Sequence, residues 1–443
     1  MLPADLGIDR AARLRGELVV PGDKSISHRA LMLALLADGV TRITGAGDGA
    51  DIRSSAAIVR ELGATVERAP AASGNVDYVV GSAGAAAVRE PAGALDCGNS
   101  GTSMRLFAGI LAGLPLHATL DGDASLRSRP MARIIEPLRA MGAEMTGSGP
   151  DGTRAPLRVG GRSGLEPLDH ETPVPSAQVK SAILLAALAA AGTTRVRESV
   201  MTRDHTERML RARGVEVREH ANGQAGNVVE MEGPATLRAM DQVVPGDASA
   251  AAFWLVAGAI HPHAALRLRG VGVNPTRRAA IDLLHRMGAS IEERGQGDDG
   301  IGEPIADLVV ETSELAAIEV SAVETAAAID EIPVLCLAAT QARGRTTIRG
   351  AGELRHKESD RIAGIVDGLS RLGARISGDG DDIVIEGPTD LRGTTVDSLD
   401  DHRLALTFAI AGLIASGSTT IRGADSVAIS YPTFFADLER ILS

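Results

Sequence analysis

Cysteine is almost missing: Cys97 and Cys336 are the only two in 443 residues. Two thiols cannot build a disulfide framework or a cysteine-rich zinc site, and so low a count fits a reducing, cytoplasmic setting. Aromatic residues make up only 2% of the chain. That leaves too few rings for the stacking platforms that bind single-stranded nucleic acid or sugars. There is no basic excess, since 45 Lys and Arg stand against 57 Asp and Glu, a formal net charge of −12. This argues against general binding to nucleic acid or to an anionic membrane, while leaving room for a local basic pocket. The longest apolar runs, 182–191 and 404–415 (the latter broken by Thr407 and Gly412), are too short to span a bilayer. The opening MLPADLGIDRAARLR has no apolar h-region, so no secretory signal is expected. What is present is a 44% apolar chain with ample material for a large core, long enough for two or three domains.

An internal repeat organises that chain. A strand-like segment with a Gly-rich exit recurs six times, at 39–47, 114–123, 192–199, 263–272, 344–352 and 417–425. The aligned apolar residues Ile43, Leu120, Val196, Leu268, Ile348 and Ile421 are spaced by 77, 76, 72, 80 and 73 residues. Before the strand comes a helix that is apolar nearly all round, as in ALMLALLADG (30–39), AAFWLVAGAI (251–260) and LALTFAIAGLIASG (404–417). Such a helix must be buried on every side. After the strand comes an amphipathic helix, as at 51–64, where Ile52, Ala56, Val59 and Leu62 form one stripe and a glycine ends it. A hairpin follows, for example over 374–387, and the sixth copy stops after its amphipathic helix at 431–442. VVPGDKS (19–25) and VVPGDAS (243–249) repeat each other half a chain apart. Pro-Gly turns of this kind mark crossings between domains. The expected fold is therefore α/β with two three-repeat domains, 24–242 and 1–23 plus 243–443, joined by crossovers near 19–24 and 243–247.

The starts of the buried helices carry polar residues: KSISHR (24–29), GNSGTSMR (98–105), SAQVK (176–180), GDAS (246–249), IDEIP (329–333) and DDHR (400–403). Ser or Asp would suffice as caps, and Asp247 and Ser249 fit that plain role. Cations at a positive helix end are unfavourable unless an anion compensates them. Lys24, Arg29, Arg105, Arg129, Lys180 and Arg403 near such starts point to a small ligand with several negative charges, held in a cleft lined by helix N-termini. Two segments stand out beside them. DASLRSRPMARI (123–134) sets Arg and Pro before a helix, and ELRHKESDRIAGI (353–365) puts Glu358 and Arg361 at i,i+3, on one face. No H-x-x-x-H pattern, Walker A motif or G-x-S-x-G elbow occurs, and Asp401-His402 alone is too little for a metal, so neither metal nor cofactor is expected.

Together PGDKSISHRA, GNSGTSMR, Ser-Arg-Pro at 128–130, Ser176–Gln178, HKESDRI and DDHR resemble, in order and across the whole chain, the signatures of the EPSP synthase family, the 3-phosphoshikimate 1-carboxyvinyltransferases. The resemblance implies two inside-out α/β barrels, each of three βαβαββ units with buried parallel helices. It implies transfer of the enolpyruvyl group of phosphoenolpyruvate to the 5-hydroxyl of shikimate 3-phosphate with release of phosphate, a step toward aromatic amino acids. It assigns Lys24 to both substrates, and Ser25, Arg29, Ser176, Gln178 and Lys357 to shikimate 3-phosphate. Gly101, Arg129, Arg361 and Arg403, with Gln178, fall to phosphoenolpyruvate. Asp330 corresponds to the carboxylate at the 5-hydroxyl and Glu358 to the acid that protonates C3. The family also implies inhibition by glyphosate, no nucleic-acid or membrane partner, and a cytoplasmic monomer.

This chain departs from some relatives at Ala177, Thr202, His205, Glu353, Ile429 and Leu106. Two rivals share the scaffold. The sister enzymes that load enolpyruvyl onto UDP-N-acetylglucosamine often use a reactive loop cysteine, whereas Cys97 precedes GNSGT and Cys336 lies in an apolar run. A non-catalytic anion binder is the other, and it would gain nothing from the acidic Asp330 and Glu358.

Overall fold

The computed structural model describes residues 3–71, 74–221, 226–298 and 300–442. Six helices are buried along most of their length: α1 (Lys24–Leu36), α2 (Gly101–Ala112), α3 (Ala177–Ala187), α4 (Ala248–Ile260), α5 (Ile332–Gln341) and α6 (His402–Gly412). In α4 every residue from Ala248 to Ala259 is buried, which its unbroken apolar sequence requires. Each helix leads into a central strand: β1 (Ala37–Ala46), β2 (His117–Asp121), β3 (Gly192–Glu198), β4 (Ala264–Gly272), β5 (Gly344–Ile348) and β6 (Thr419–Arg422).

An amphipathic helix follows each strand, at Ala50–Glu61, Ala132–Ala140, His205–Ala212, Ala279–Arg286, Arg361–Arg371 and Phe434–Leu442. Five of them stop at Gly63, Gly142, Gly214, Gly288 and Gly373, whose φ lies between 91° and 109°, a left-handed exit that costs glycine little. A hairpin then pairs antiparallel with the central strand, as Arg375–Asp379 and Asp382–Gly387 do with β5. The other edge of each central strand takes a parallel strand, which for β2, β3, β5 and β6 comes from just upstream in the chain, as Glu319–Val320 does for β5.

Among the described residues no hairpin follows the sixth amphipathic helix. The hairpin's place beside β6 is taken by Asp5–Ile8, antiparallel, with Asp5 opposite Arg422, while Leu14–Leu18 adds parallel to β4. Polar-apolar alternation over so few residues did not reveal either strand in the sequence. In the first repeat Leu237–Arg238 and Gln242–Val243 add parallel to β1, so the third repeat returns to the first.

By their contacts the residues form two compact units. The first comprises Gly22–Val244 and Asp299–Glu303, and the second comprises the residues up to Pro21, Pro245–Asp298 and those from Pro304 onward. The strap ending at Glu303 is an addition to the two crossings read from the sequence, and within it Ile301 packs into the first unit's core. Each unit has its own apolar core. Each fully buried large apolar side chain contributes roughly 1.5–3 kcal/mol before chain entropy is charged against it. In the first unit α2 and α3 nearly touch, since a Cβ on Gly109 would lie 2.2 Å from the Ala182 carbonyl oxygen. In the second, the scarce aromatics are gathered rather than spread. Trp254 stacks on Phe434 at 4.7 Å and donates Nε1–H to the Tyr431 hydroxyl at 3.0 Å. Among the described residues no helix is long and apolar enough to cross a membrane.

Candidate active site

The first unit presents polar residues at the starts of α1, α2 and α3. Asp23 caps α1 by accepting the Ile26 N–H at 2.8 Å. Lys24, the next residue, is partly exposed and pairs through Nζ with Asp51 at 3.0 Å, at the start of the following amphipathic helix. Ser25 is half-buried, and its carbonyl accepts Arg29 Nη1 at 3.0 Å. Arg29 itself is buried and donates to Thr206 Oγ1 at 2.6 Å and Ser181 Oγ at 2.7 Å. Burial pulls its pKa down to about 10, against the pull of Glu207 and Asp23, so it stays cationic at neutral pH.

At α2, Ser100 caps by accepting the Ser103 N–H at 3.0 Å. Gly101 lies beneath two guanidinium groups: a Cβ there would be 2.6 Å from Arg105 Nη1 and 3.4 Å from Arg129 Nη1. Arg105 Nη1 donates to Gln178 Oε1 at 2.6 Å, and Gln178 Nε2 donates to Thr102 Oγ1 at 2.9 Å. Arg129 Nη2 donates to Asn99 Oδ1 at 2.5 Å, and Asn99 Nδ2 to Asp123 at 2.8 Å. Ser176 caps α3. The structure thus brings Gly101, Arg129 and Gln178 together with Arg105.

Lys180 stands apart. The sequence places it among cations that await an anionic ligand, but it is fully buried between Glu198 at 2.7 Å and Glu207 at 2.8 Å. Burial opposes its charge, yet the two carboxylates outweigh that and raise its pKa, so this cation is spent inside the unit. Thr202 hydrogen-bonds Glu198, and His205 Nδ1 lies 2.7 Å from Glu303. Asp204, His205 and Glu303 are grouped closely enough to hold a metal ion, but Arg208 already donates to Asp204 at 2.8 Å and to the Gly302 carbonyl. A guanidinium in that position disfavours a second cation.

The second unit holds the other cluster, around Arg361. This residue is only 1% exposed and makes three carboxylate contacts: Asp401 Oδ2 from Nε at 2.7 Å, Glu358 Oε2 from Nη2 at 2.5 Å, and Asp330 Oδ1 from Nη1 at 3.6 Å. Burial opposes the charge, and Asp401, Glu358 and Asp330 together outweigh it and raise the pKa. Arg403 donates Nη1 to the Asp330 carbonyl at 3.0 Å, with Nη2 3.8 Å from its carboxylate. Asp330 and Glu358 remain partly exposed, whereas Asp401 is fully buried. Lys357 is half-buried. The turn that delivers Asp401 is strained: Leu399 and Asp400 have φ of 55° and 56°, in the left-handed region that a branched or bulky residue avoids. Gly423 makes room for it, since a Cβ there would lie 2.6 Å from Ser398 Oγ.

Three residues in these clusters were not read from the sequence as site residues. Asp51 holds Lys24, Asn99 holds Arg129, and Asp401 holds Arg361. Asn99 and Asp401 lie inside segments already singled out, GNSGT and DDHR, but their partners are 30 and 40 residues away. A groove of about 510 Å³ lined by Pro91, His117, Glu144, Arg158 and Gly160 involves none of the site residues.

Comparison with known proteins completes the picture. Residues 8–438 match the family model described as EPSP synthase (3-phosphoshikimate 1-carboxyvinyltransferase). A 3-phosphoshikimate 1-carboxyvinyltransferase of Gloeobacter violaceus is 51% identical over 435 residues, 98% of each chain. One of Bacillus cereus is 47% identical over 428 residues, 97% of each. Among solved structures, EPSP synthase from Acinetobacter baumannii matches with a TM-score of 0.88 at 40% identity, over 99% of this chain and 98% of that one. The enolpyruvyl transferase NikO from Streptomyces tendae shares the fold, with a TM-score of 0.77 at 21% identity over 98% and 96%. Signatures, repeat architecture and relatives agree, and the chain belongs to the EPSP synthase family.

Proposed function

We propose that this protein transfers the enolpyruvyl group of phosphoenolpyruvate to the 5-hydroxyl of shikimate 3-phosphate, giving 5-enolpyruvylshikimate 3-phosphate and phosphate. The observation that carries the reading is the pair of reachable carboxylates, Asp330 and Glu358, set on a buried arginine that a third carboxylate fixes from behind. A pure anion binder would place no acids there. The reaction needs them. The 5-hydroxyl loses a proton as its oxygen adds to C2, C3 gains one, and C3 gives one back as phosphate leaves.

Asp330 takes the hydroxyl proton, and Glu358 serves C3. Glu358 is tied to Arg361 at 2.5 Å. An anionic phosphoenolpyruvate that takes Arg361 displaces that carboxylate and frees it for proton transfer, while Asp401 keeps the guanidinium in place. Arg403 and, in the first unit, Arg129, Gln178 and Lys24 are the further groups for phosphoenolpyruvate, with Gly101 adding no side chain beneath the Arg105 and Arg129 guanidinium groups. Ser25, Ser176, Gln178, Lys24 and Lys357 hold shikimate 3-phosphate, and Arg29 sets a positive charge beneath Ser25. The fixed cations stabilise the charge that develops on the departing phosphate, so the chemistry calls for no metal or cofactor. Glyphosate is the expected competitor at the phosphoenolpyruvate position. The protein is taken to act as a monomer in the cytoplasm, a place that its two cysteines and bacterial relatives support.

The sister reaction on UDP-N-acetylglucosamine is not favoured. Cys97 and Cys336 are buried, and burial pushes the Cys336 thiol up to about 12 and that of Cys97 higher still, the reverse of a reactive thiolate. The test is phosphate release from phosphoenolpyruvate with each acceptor. Release with shikimate 3-phosphate alone is expected, cut by about 10²–10⁴-fold in Asp330→Asn and in Glu358→Gln. Turnover within about threefold of wild type in both variants, well below that range, removes these carboxylates from the chemistry.

A further inference from the structure

Asp330 is followed by a second acid, Glu331, whose side chain behaves unexpectedly. Glu331 occupies the N-cap of α5 with φ −97° and ψ −9°, yet makes no capping bond. It turns inward, is 3% exposed, and accepts the hydroxyl of Ser249, the second residue of α4. Arg277 joins the same pair. Its Nη2 donates to Ser249 Oγ at 2.8 Å and to Asp247 Oδ1 at 3.3 Å, and its Nη1 lies 3.9 Å from Glu331 Oε1.

Arg277 is itself set by a tight turn. Asn274 Oδ1 accepts the Thr276 N–H at 2.8 Å, and the Asn274 carbonyl accepts the Arg277 N–H at 2.8 Å. The start of α4, the turn at 274–277 and the start of α5 are thereby tied at one buried point.

We infer that Arg277, Ser249 and Glu331 form a positioning network for Asp330. The peptide between residues 330 and 331 is pinned from two sides. On one side the Glu331 carboxylate is anchored in the interior. On the other the Asp330 carbonyl is held by Arg403 at 3.0 Å. With the backbone fixed, the Asp330 carboxylate keeps only its own side-chain rotations. Misplacing a reacting group by about 1 Å can cost about 10²-fold in rate. Buried polar networks of this kind hold geometry only while every member is satisfied. Arginine suits the centre because its planar guanidinium holds its donors in a fixed fork, whereas a lysine ammonium is a point charge on a flexible stem.

This inference rests on the reading of Asp330 as the base, so the experiment separates the two. Turnover and both Michaelis constants are measured for Glu331→Gln, for Asp330→Asn and for the double variant. The single Glu331→Gln should lower kcat by about 10- to 100-fold, with Michaelis constants changed less than about threefold, since substrate contacts are untouched. In the Asp330→Asn background the same change should cost less than about threefold, because the group it positions no longer acts. A Glu331→Gln kcat within about twofold of wild type overturns the inference. So does a loss carried in full into the Asp330→Asn background, which is the mark of a merely structural residue and leaves the Asp330 reading standing. Asp330→Asn turnover near wild type overturns both. If Glu331→Gln fails to fold, Ser249→Ala goes through the same cycle, since Asp247 still caps α4.

Discussion

Replacing Asp401 by asparagine changes one buried atom pair and should be felt twice. The wild-type carboxylate accepts Arg361 Nε at 2.7 Å and Ser359 Oγ at 3.1 Å on Oδ2, and the Arg403 N–H at 2.9 Å on Oδ1. Asparagine caps a helix as well as aspartate does, so the bond to the Arg403 amide survives. What is lost is Oδ2. An amide N–H₂ would face a guanidinium N–H, donor against donor. Removing one partner of a buried pair costs about 3–5 kcal/mol, but Arg361 keeps Glu358 and Asp330, so the expected loss is nearer 2–3 kcal/mol, in line with a hydrogen bond to a charged group. For a unit of this size that corresponds to a drop in Tm of roughly 4–12 °C. The second effect is on substrate. Arg361 leans further onto Glu358, so phosphoenolpyruvate must displace a tighter partner, and its KM should rise by about tenfold, which is about 1.4 kcal/mol. Calorimetry and steady-state kinetics read the two effects. The exposed neighbour Asp400→Asn is the control, with stability within about 0.5 kcal/mol of wild type. An Asp401→Asn protein with unchanged Tm and unchanged KM refutes the idea that Asp401 holds Arg361.

Two further outcomes are expected. Burial brings the pKa of His28 down to about 3, whereas the unfolded imidazole titrates near 6.5. Between these values the unfolded chain takes a proton that the folded one refuses, so stability falls as pH falls, by about 2 kcal/mol on reaching pH 5. His28→Asn, which keeps a polar atom toward Ser55, should shrink the loss in urea midpoint between pH 7.5 and 5, and an identical pH dependence in both proteins contradicts the assignment. Gly101→Ala should raise the ratio of the glyphosate inhibition constant to the phosphoenolpyruvate KM, because the new methyl meets Arg105 Nη1 at 2.6 Å and pushes it off Gln178. An unchanged ratio removes Gly101 from the pocket.

The parts of the fold legible in the sequence are those written in a local period. All-round apolar helices such as α4 and the glycine stops at Gly63, Gly142 and Gly373 repeat at a fixed spacing, and that repeat gives the architecture away. The strand at Asp5–Ile8 was not legible, because four residues carry no usable period and its partner is β6. At the site, residue type and helix start were legible, but partnership was not. Lys180 and Arg105 look alike in sequence, each a cation in the first turns of a buried helix. Lys180 meets Glu198 and Glu207 and is neutralised, while Arg105 donates to the neutral Gln178. Asp401 was visible in DDHR, yet its task depends on Arg361, which a different repeat supplies.

The pairing of Asp5–Ile8 with β6 sets a timetable for synthesis. The two partners lie some 400 positions apart along the chain. As the polypeptide leaves the ribosome, Gly22–Val244 emerges as an almost complete unit and can close its own core. The two leading strands, Asp5–Ile8 and Leu14–Leu18, must wait for β6 and β4. At translation rates of about 5–20 residues per second, the stretch from Pro245 to Arg422 takes roughly 10–35 s to appear. Leu14–Leu18 meets β4 early in that interval, but Asp5–Ile8 keeps an unpaired edge throughout it, the kind of surface that chaperones cover and that otherwise joins other chains. Asp5, Asp9 and Arg10 beside or within Asp5–Ile8 place charge where an unpartnered edge would otherwise aggregate.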